Sequence, residues 1–364
     1  IVKIAIFSTN RSDFSILKPI LEKLKYYNAN FQLIVSGSHI KEAIFLPKKN
    51  IKNLQVNFEN KNLKSLFNNL LKYEKKLIDY LIKNNFDKAL ILGDRYETVS
   101  IAKILKIFNI KIYHLCGGDV SLGSIDNNFR DSITNLSDIH FVSNKSSKLN
   151  LQKKGIKKNK IFLFGLPNLN FNSKNLIKFD EILKRFKLKA SKKNILVTYH
   201  PVSKLNITHS IEELKIILSA IRHFKSINFF FTSSNFDNGG HKLNLIIKNF
   251  VLRNSNSFFI NSFGQRYFFS FLAKMDCVLG NSSQGLSETS LFKVPTINIG
   301  IRQLNRLSSK NVIHCINPNK IKVIRLIKFA ISAKFKLKIK NVKNPHYIRN
   351  SCEKIVKKIL KVNN

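Results

Sequence analysis

The sequence is poor in cysteine and has no long apolar run, and each shortage excludes a class of protein. No stretch of about 18 uncharged apolar residues occurs, which argues against a membrane-spanning helix. Residues 1–9 lack the basic flank and cleavage site of a signal peptide, so they predict a buried first strand. The cysteines form no Cys-x-x-Cys pair, so we expect small buried thiols in a reducing cytoplasm: Cys116, Cys277, Cys315 and Cys352.

Acidic residues are also scarce, at 21 against 63 lysines and arginines, which gives a formal net charge of +42. Such a charge is typical of nucleic-acid-binding proteins when it forms a basic stripe. Here the excess is nearly all lysine, spread from end to end with asparagine, isoleucine and phenylalanine, so we interpret it as compositional drift. We therefore predict no nucleic-acid partner and no membrane partner. The positive field should attract an anionic substrate, and salt should weaken that attraction.

The length of 364 residues is too great for one ordinary core, and the 44% of apolar residues is enough for two. We predict an N-terminal Rossmann-like domain at residues 1–168, which carries catalytic acids. A C-terminal Rossmann-like nucleotide-binding domain follows at residues 169–345. Residues 346–364 are predicted to form a helix that packs back on the body of the protein.

Short apolar runs alternate with amphipathic stretches along most of the chain. The runs predict strands at residues 2–7, 31–35, 89–92, 110–115, 138–142, 161–164, 194–198, 228–232, 258–260, 277–279 and 296–299. The clearest helical periodicity covers residues 16–25, 63–83, 99–108 and 350–362. This alternation predicts the α/β class, with two doubly wound parallel sheets facing a cleft that the carboxyl ends of the strands line.

The first polar cluster, residues 9–13, lies between the first predicted strand and the first predicted helix. Arg11 beside a helix N-terminus suits a phosphate group. The plainer interpretation is that Ser12 or Asp13 is the N-cap of the helix.

Acidic residues follow the next two strands of the first domain at Asp94, Asp119 and Asp126. We expect them to converge with Arg130, because like charges raise one another's pKa and can keep one acid protonated for acid–base catalysis. Two glycines before Asp119 suggest close approach of a bulky ligand to the backbone. A structural Asp94–Arg95 salt bridge is an alternative, and a metal site is less favoured because no histidine or cysteine stands at ligand spacing.

In the second domain His200 directly follows the first predicted strand, and residues 280–288 follow a later one. Small hydroxyl residues and free backbone N–H groups at a helix start suit a diphosphate, and Glu288, one turn into that helix, suits a ribose diol. Arginine is scarce, yet five arginines fall in or beside the clusters, which indicates bidentate anion recognition: Arg11, Arg95, Arg130, Arg302 and Arg306.

With these motifs the chain resembles the hydrolysing UDP-N-acetylglucosamine 2-epimerases of sialic-acid-type sugar synthesis. The likeness runs in order through residues 11–13, 92–97, 117–130, 199–201, 235–240, 280–288 and 300–306. It implies a glycosyltransferase-B-like fold that uses no metal and no redox cofactor. It also implies a UDP-sugar substrate, elimination of UDP to a 2-acetamidoglucal, and addition of water to give the free 2-epimer.

By resemblance Asp94, Asp119, Asp126 and His200 match the family's essential acids and active-site histidine, and Ser282, Ser283 and Glu288 match its diphosphate and ribose contacts. The full set of substrate-binding candidates is Arg11, Asp13, Arg95, Arg130, Asn235, Ser282, Ser283, Gly285, Glu288, Arg302 and Arg306. We expect a homo-oligomer, either a dimer or a tetramer.

The sequence departs from the family pattern at four positions. Asp119 stands where glutamate is frequent, Cys116 where histidine is common, Ile301 where an acidic residue is common, and Thr9 where glycine is frequent. The donor therefore stays open between UDP-N-acetylglucosamine and a UDP-2,4-diacetamido-trideoxy sugar. The remaining alternatives are a non-hydrolysing epimerase, a glycosyltransferase of the same fold, a nucleic-acid-binding protein and an inactive nucleotide-sugar binder.

Overall fold

The computed structural model describes residues 2–36, 45–56, 58, 63–121, 123–171, 175–234 and 239–361, without the side chains at positions 11, 12, 265 and 266. Contacts divide the chain into two compact units. Unit 1 contains Ile1–Val120, Ile125–Phe171 and His346–Asn364, and unit 2 contains Ser121–Ser124 and Asn172–Pro345. Within the described ranges, no helix is both long enough and apolar enough to cross a bilayer.

Strands and helices alternate through the described residues. The strands are β1 (Ile4–Ser8), β2 (Phe31–Val35), β3 (Ile51–Asn53), β4 (Lys88–Leu92), β5 (Lys111–Leu115), β6 (Ile139–Val142), β7 (Ile161–Leu163), β8 (Lys193–Thr198), β9 (Ile227–Thr232), β10 (Ser257–Ile260), β11 (Cys277–Gly280), β12 (Thr296–Ile299) and β13 (Val312–Cys315). The helices are α1 (Arg11–Tyr26), α2 (Leu63–Ile82), α3 (Tyr96–Ile107), α4 (Asp126–Leu136), α5 (Lys145–Lys153), α6 (Phe179–Arg185), α7 (Ile207–Ile221), α8 (Gly240–Leu252), α9 (Gly264–Leu272), α10 (Gln284–Ser287), α11 (Lys320–Ala330), α12 (Ala333–Lys338) and α13 (Ser351–Leu360).

Unit 1 is built on a parallel sheet with the strand order β3-β2-β1-β4-β5-β6-β7. Successive side chains of a strand point to opposite faces, so β1 supplies both cores of this unit. Ile4 and Ile6 pack with α1 and α13, whereas Ala5 and Phe7 pack with α2 and α3. The sheet is covered on both faces, as continuous apolar strands require.

Unit 2 is built on a second parallel sheet with the order β10-β9-β8-β11-β12-β13. One face buries Ile195, Phe229 and Phe231 against α7, α8 and α11. The other buries Leu196 and Phe230 against α6 and α9. The predicted α/β class, with two doubly wound Rossmann-like sheets, is confirmed.

The strand order reverses direction once in each sheet, and ligands of such sheets bind beyond the carboxyl ends of the strands at that point. In unit 1 the reversal lies between β1 and β4, and in unit 2 it lies between β8 and β11. Asp94, His200 and Ser282 lie in the loops after β4, β8 and β11, and Asp13 lies in the first turn of α1, the helix after β1. Topology alone therefore brings predicted site residues to one edge of each sheet.

The first helix begins five residues earlier than its apolar periodicity predicts. α1 starts at Arg11, and the N-cap is Asn10, whose side-chain oxygen accepts a hydrogen bond from the backbone N–H of Asp13 at 3.1 Å. The prediction that Ser12 or Asp13 is the cap was therefore wrong. Both residues belong to the first helical turn, where a carboxylate is favoured by the helix dipole.

Other boundaries also differ from those predicted. α3 begins at Tyr96 rather than at residue 99, which places Glu97 in its first turn. α10 is a single turn, so Glu288 is the residue that ends it rather than a residue inside it. The edge strands β3 and β13 were not predicted, because both are short and mostly half-buried and lack a continuous apolar pattern.

Two histidines lie side by side inside the sheet of unit 1. His114 and His140 are paired across β5 and β6, and both are fully buried. His114 Nε2 is 2.9 Å from the carbonyl oxygen of Gly93, whereas neither ring nitrogen of His140 has a hydrogen-bond partner among the described residues. Burial lowers the pKa of His114 to about 4 and that of His140 to about 3. Both rings are therefore neutral in the folded protein at pH 7.

These rings should make the protein less stable in acid. In the unfolded chain their pKa is near 6.5, so below that pH the unfolded state binds more protons than the folded state. Each ring should then cost about 1.4 kcal/mol of unfolding free energy per pH unit between roughly pH 6 and 4. His140→Leu should reduce the fall of the urea midpoint between pH 7 and pH 5, whereas the exposed control His223→Gln should not. If the urea midpoint of His140→Leu falls as much as that of the wild type, the lowered pKa of His140 is wrong.

Candidate active site

Arg130 on α4 is the centre of the candidate site in unit 1. Its guanidinium group is fully buried, and its Nη1 donates to the carbonyl oxygen of Asp119 at 2.6 Å and to Oδ1 of Asn127 at 2.7 Å. Its Nη2 donates to Oδ2 of Asp94. Although burial opposes the charge, the carboxylates of Asp94, Asp119 and Asp126 raise the pKa of Arg130. The structure thus brings together the three acids and the arginine that the sequence predicts to converge.

Asp119 is held at the start of α5 by a set of neutral donors. Its Oδ1 accepts hydrogen bonds from the hydroxyl of Ser147, from Nδ2 of Asn144 at 3.2 Å and from the hydroxyl of Ser143 at 3.5 Å. These donors come from the loop after β6 and the first turn of α5, so both segments fix the position of the Asp119 side chain.

The glycine before Asp119 has a role that differs from the one predicted. Gly118 has a φ of +83°, and a Cβ atom there would lie 2.4 Å from the carbonyl oxygen of Ser147. The missing side chain lets residues 117–119 pack on the first turn of α5, so the close approach is to protein and not to a ligand.

Asp13 lies beside Asp94, Arg95 and Glu97, at the reversal of the unit 1 sheet. The hydroxyl of Thr9 donates to Oδ2 of Asp13 at 3.1 Å. The pKa of Asp13 is raised to about 7, chiefly by burial; Glu97 and Asp94 contribute to the rise, whereas Arg95 and the Thr9 hydrogen bond oppose it. Asp13 is therefore half-protonated at neutral pH, which suits a group that transfers a proton.

Arg95 pairs with a different carboxylate from the one predicted. Its Nη2 lies 3.1 Å and its Nε 3.3 Å from Oε1 of Glu97, a residue that is fully buried in the first turn of α3. Asp94, in turn, pairs with Arg130. The described residues thus contain two ion pairs here, Arg95–Glu97 and Asp94–Arg130, which differ from the Asp94–Arg95 pair that the sequence analysis considered as an alternative.

In unit 2 the candidate site is organised by a buried amide. Oδ1 of Asn281 accepts from the backbone N–H of His200, and its Nδ2 donates to the carbonyl oxygen of His200, both at 2.8 Å. The carbonyl oxygen of Asn281 accepts from Nη1 of Arg302 and from Nε2 of Gln303, both at 3.1 Å. Nε of Arg302 also donates to the carbonyl oxygen of Pro201 at 3.2 Å. One residue thus connects the loops that follow β8, β11 and β12.

The loop after β11 carries the predicted diphosphate and ribose residues. Ser282, Gly285 and Glu288 are buried and Ser283 is half-buried. Beneath them, the hydroxyl of Thr289 donates to the carbonyl oxygen of Gly285 at 2.7 Å and accepts from Nδ2 of Asn311 at 2.9 Å. A rigid base of this kind fixes the backbone N–H groups that a phosphate would contact.

Three further predicted residues are Arg306, Arg11 and Asn235. Arg306 donates from Nη1 to Oε1 of Gln303 at 3.1 Å, so it joins the same loop as Arg302. Arg11 begins α1, but its side chain lies outside the described residues, as does the whole of Asn235. Within the described ranges, no group of three or more histidine, cysteine, aspartate and glutamate side chains is placed to hold a metal ion.

The sequence interpretation missed residues that support the site. The sequence analysis did not select Glu97, Asn144 or Asn281 as site residues, although each lies within six residues of a strand end. Asn281 directly follows β11, and Asn144 is the second residue after β6. The signal that identified Asp94 and His200, a polar residue after an apolar strand, applies to Asn144 and Asn281 as well. Their amides bind protein groups, a role that residue type alone does not reveal.

Comparison with known proteins gives matches over most of the chain. A family model described as UDP-N-acetylglucosamine 2-epimerase matches residues 22–360. The chain is 31% identical over 326 residues to the GDP/UDP-N,N'-diacetylbacillosamine 2-epimerase (hydrolyzing) of Campylobacter jejuni. This match covers 85% of this chain and 83% of that protein. It is 32% identical over 228 residues to the UDP-N,N'-diacetylbacillosamine 2-epimerase (hydrolyzing) of Legionella pneumophila, which covers 62% of this chain and 59% of that protein.

The fold is also found among solved structures. The UDP-GlcNAc 2-epimerase of Methanocaldococcus jannaschii, solved in complex with UDP-GlcNAc and UDP, superposes with a TM-score of 0.80 at 20% identity. The match covers 98% of this chain and 99% of that one. This likeness confirms the predicted glycosyltransferase-B-like fold class.

The carboxyl group of Asp13 should titrate near pH 7, because its burial penalises the charged form. In protein labelled with ¹³C at aspartate side-chain carboxyls, one resonance should change its shift between pH 6 and pH 8. Asp13→Asn should remove that step, whereas Asp180→Asn, at an exposed position on α6, should leave it in place. If no carboxyl resonance titrates in this range, the raised pKa is wrong.

Proposed function

Since this chain belongs to the UDP-N-acetylglucosamine 2-epimerase family, we propose that it is a hydrolysing nucleotide-sugar 2-epimerase. It would convert a UDP-linked 2-acetamido sugar and water into UDP and the free sugar with inverted carbon 2. The observation that carries the proposal is the set of acids in unit 1. Asp94 is paired with Arg130, Asp119 is held by the donors at the start of α5, and Asp13 has a pKa of about 7.

The reaction needs a base and an acid in succession. In the first step a carboxylate removes the proton on carbon 2, the bond between carbon 1 and the diphosphate oxygen breaks, and a carbon 1–carbon 2 double bond forms. We assign the base to the group Asp94, Asp119 and Asp126, and the proton donor for the departing diphosphate to Asp13. Water then adds its hydroxyl to carbon 1, and a proton returns to the opposite face of carbon 2. A pKa near the working pH favours Asp13 as the acid.

Unit 2 would bind the nucleotide. In this proposal the backbone N–H groups and hydroxyls of Ser282, Ser283 and Gly285 contact the diphosphate, and Glu288 contacts the ribose. Arg302 and Arg306 supply positive charge, and His200 acts at the reacting end of the donor. The buried hydrogen bonds under Gly285 and around Asn281 support a preformed site, because they fix the loops before any ligand binds.

The donor we propose first is UDP-N,N'-diacetylbacillosamine, a 2,4-diacetamido-trideoxy sugar. The names of the Campylobacter jejuni and Legionella pneumophila relatives support this choice. UDP-N-acetylglucosamine is the second candidate, which the description of the family model supports. The two donors share the 2-acetamido group on which the elimination depends, so the chemistry assigned to the acids is the same for both.

We also propose that the protein is a homo-oligomer, either a dimer or a tetramer, as the sequence predicts. A row of exposed apolar side chains along one side of α2 supports this: Leu63, Phe67, Leu71, Ile78 and Ile82. Their spacings of four and seven residues place them along one helix face. Apolar surface of this extent on a helix is typical of a protein–protein contact.

Incubation with each donor in deuterated water tests the function directly. We expect proton NMR to show free UDP and the free 2-epimer with deuterium at carbon 2, because the proton added there comes from solvent. Asp94→Asn, Asp119→Asn and Asp126→Asn should each lower turnover by about 10²–10⁴-fold while the protein remains folded, the usual loss for an acid–base group.

The exposed control Glu181→Gln should turn over normally. Release of a 2-epimer still attached to UDP would replace the hydrolysing assignment with a non-hydrolysing one. Normal activity in any one of the three asparagine variants would remove that residue from the mechanism. Activity with only one donor would fix the sugar without changing the reaction.

A further inference from the structure

The most constrained polar side chain of unit 2 is the amide of Asn281. It lies at the reversal of the sheet, directly after β11, and no part of the residue is exposed to solvent. Strands β8 and β11 come very close here, because a Cβ atom on Gly280 would lie 1.9 Å from the carbonyl oxygen of Thr198. The backbone N–H of Asn281 then donates to that same oxygen at 3.0 Å, which extends the ladder by one residue.

After Asn281 the two segments are joined by the side chain of Asn281 rather than by backbone hydrogen bonds. Its amide binds both backbone polar groups of His200, the N–H and the carbonyl oxygen, as a neighbouring strand would. The two peptide planes on either side of the His200 Cα are thereby fixed. Because these planes set the direction of the Cα–Cβ bond, the amide also sets where the imidazole ring begins.

The chemistry of this arrangement allows very few side chains. One group must accept a hydrogen bond and donate another, side by side, at the end of a single methylene. Asparagine does this, and so does a protonated aspartic acid. An ionised aspartate keeps the acceptor but loses the donor, and it places a negative charge against the His200 carbonyl oxygen.

We propose that Asn281 is a positioning residue for His200 in the reaction, and that it orients the histidine through the paired hydrogen bonds of its amide. The inference rests on the proposed function, since His200 is assigned to the reaction there. It goes beyond that function in naming the group that orients the histidine. The same residue also receives Arg302 and Gln303 at its own carbonyl oxygen, so the orientation of His200 is tied to the loop after β12.

Asn281→Asp tests the inference, because the introduced carboxyl group can form both hydrogen bonds when it is protonated but only one when it is ionised. Burial should raise the pKa of the introduced carboxyl group, so that it is protonated in mild acid and ionised in mild alkali. Relative to wild type, we expect kcat to fall by about 10²-fold at pH 8, the usual effect of a displacement near 1 Å, and to recover as the pH is lowered to 6. The affinity for UDP should change much less. In Asn281→Ala, which can form neither hydrogen bond, kcat should stay low at both pH values.

A matched control separates orientation from general stability. Nδ2 of Asn256 donates to the carbonyl oxygens of Phe224 and Ile227, both at 2.7 Å, at the start of β10 and away from His200. Asn256→Asp should lower the thermal midpoint and leave the pH profile of kcat unchanged. If Asn281→Asp lowers only the midpoint, in the manner of this control, Asn281 is merely structural and the inference fails.

A second readout does not depend on turnover. The ring resonance of His200, identified by its absence in His200→Gln, should acquire a second inflection in its pH titration in Asn281→Asp and not in Asn256→Asp. A wild-type protein that releases no UDP would overturn the proposed function, and the ring titration would still test the coupling of Asn281 to His200. A ring titration identical to that of wild type in Asn281→Asp would overturn the inference while wild-type turnover still supported the function.

Discussion

The buried guanidinium group of Arg130 is the interaction on which the unit 1 site depends. Removing this charge from water costs several kcal/mol, and only a well-matched set of acceptors offsets that cost. The acceptors come from the loop after β4, the loop after β5 and α4 itself, at Asp94, Asp119 and Asn127. The charge therefore holds three segments in one arrangement. Burial gives the neighbouring Asp13 a pKa near neutrality, although Arg95 and the Thr9 hydrogen bond oppose this rise.

Unit 2 relies on a neutral amide instead. At the same topological position, the reversal of a parallel sheet, the amide of Asn281 binds the loop after β8 at His200. The backbone carbonyl oxygen of Asn281 binds Arg302 and Gln303 of the loop after β12. Hydrogen bonds that are sheltered from water are costly to break one at a time, because each leaves a buried polar group unmatched. A charged group is suited to fixing carboxylates, and a neutral amide is suited to a loop that, in the proposed function, contacts an anionic nucleotide. Under that proposal the two sheets use one topology for two kinds of chemistry.

Much of this organisation could be predicted from the sequence, because apolar strands and the polar residues that follow them are local signals. The predicted strand at residues 31–35 coincides with β2, and the family resemblance and the fold class are confirmed. The start of α1 was missed because Asn10 and the first helical turn are polar and carry no periodicity. The partners of Asp119 and Asn281 were missed for a different reason. They depend on which strand ends lie side by side, and a single sequence does not specify that order.

The central claim is that the acids in unit 1 break the bond between carbon 1 of the sugar and the diphosphate oxygen. Turnover in H₂¹⁸O followed by mass spectrometry of both products tests this most directly. Elimination leaves the bridging oxygen on the nucleotide, so we predict UDP without ¹⁸O and a free sugar that carries the label at carbon 1. Incorporation of ¹⁸O into the terminal phosphate of UDP would mean that water attacks phosphorus, and would contradict the account.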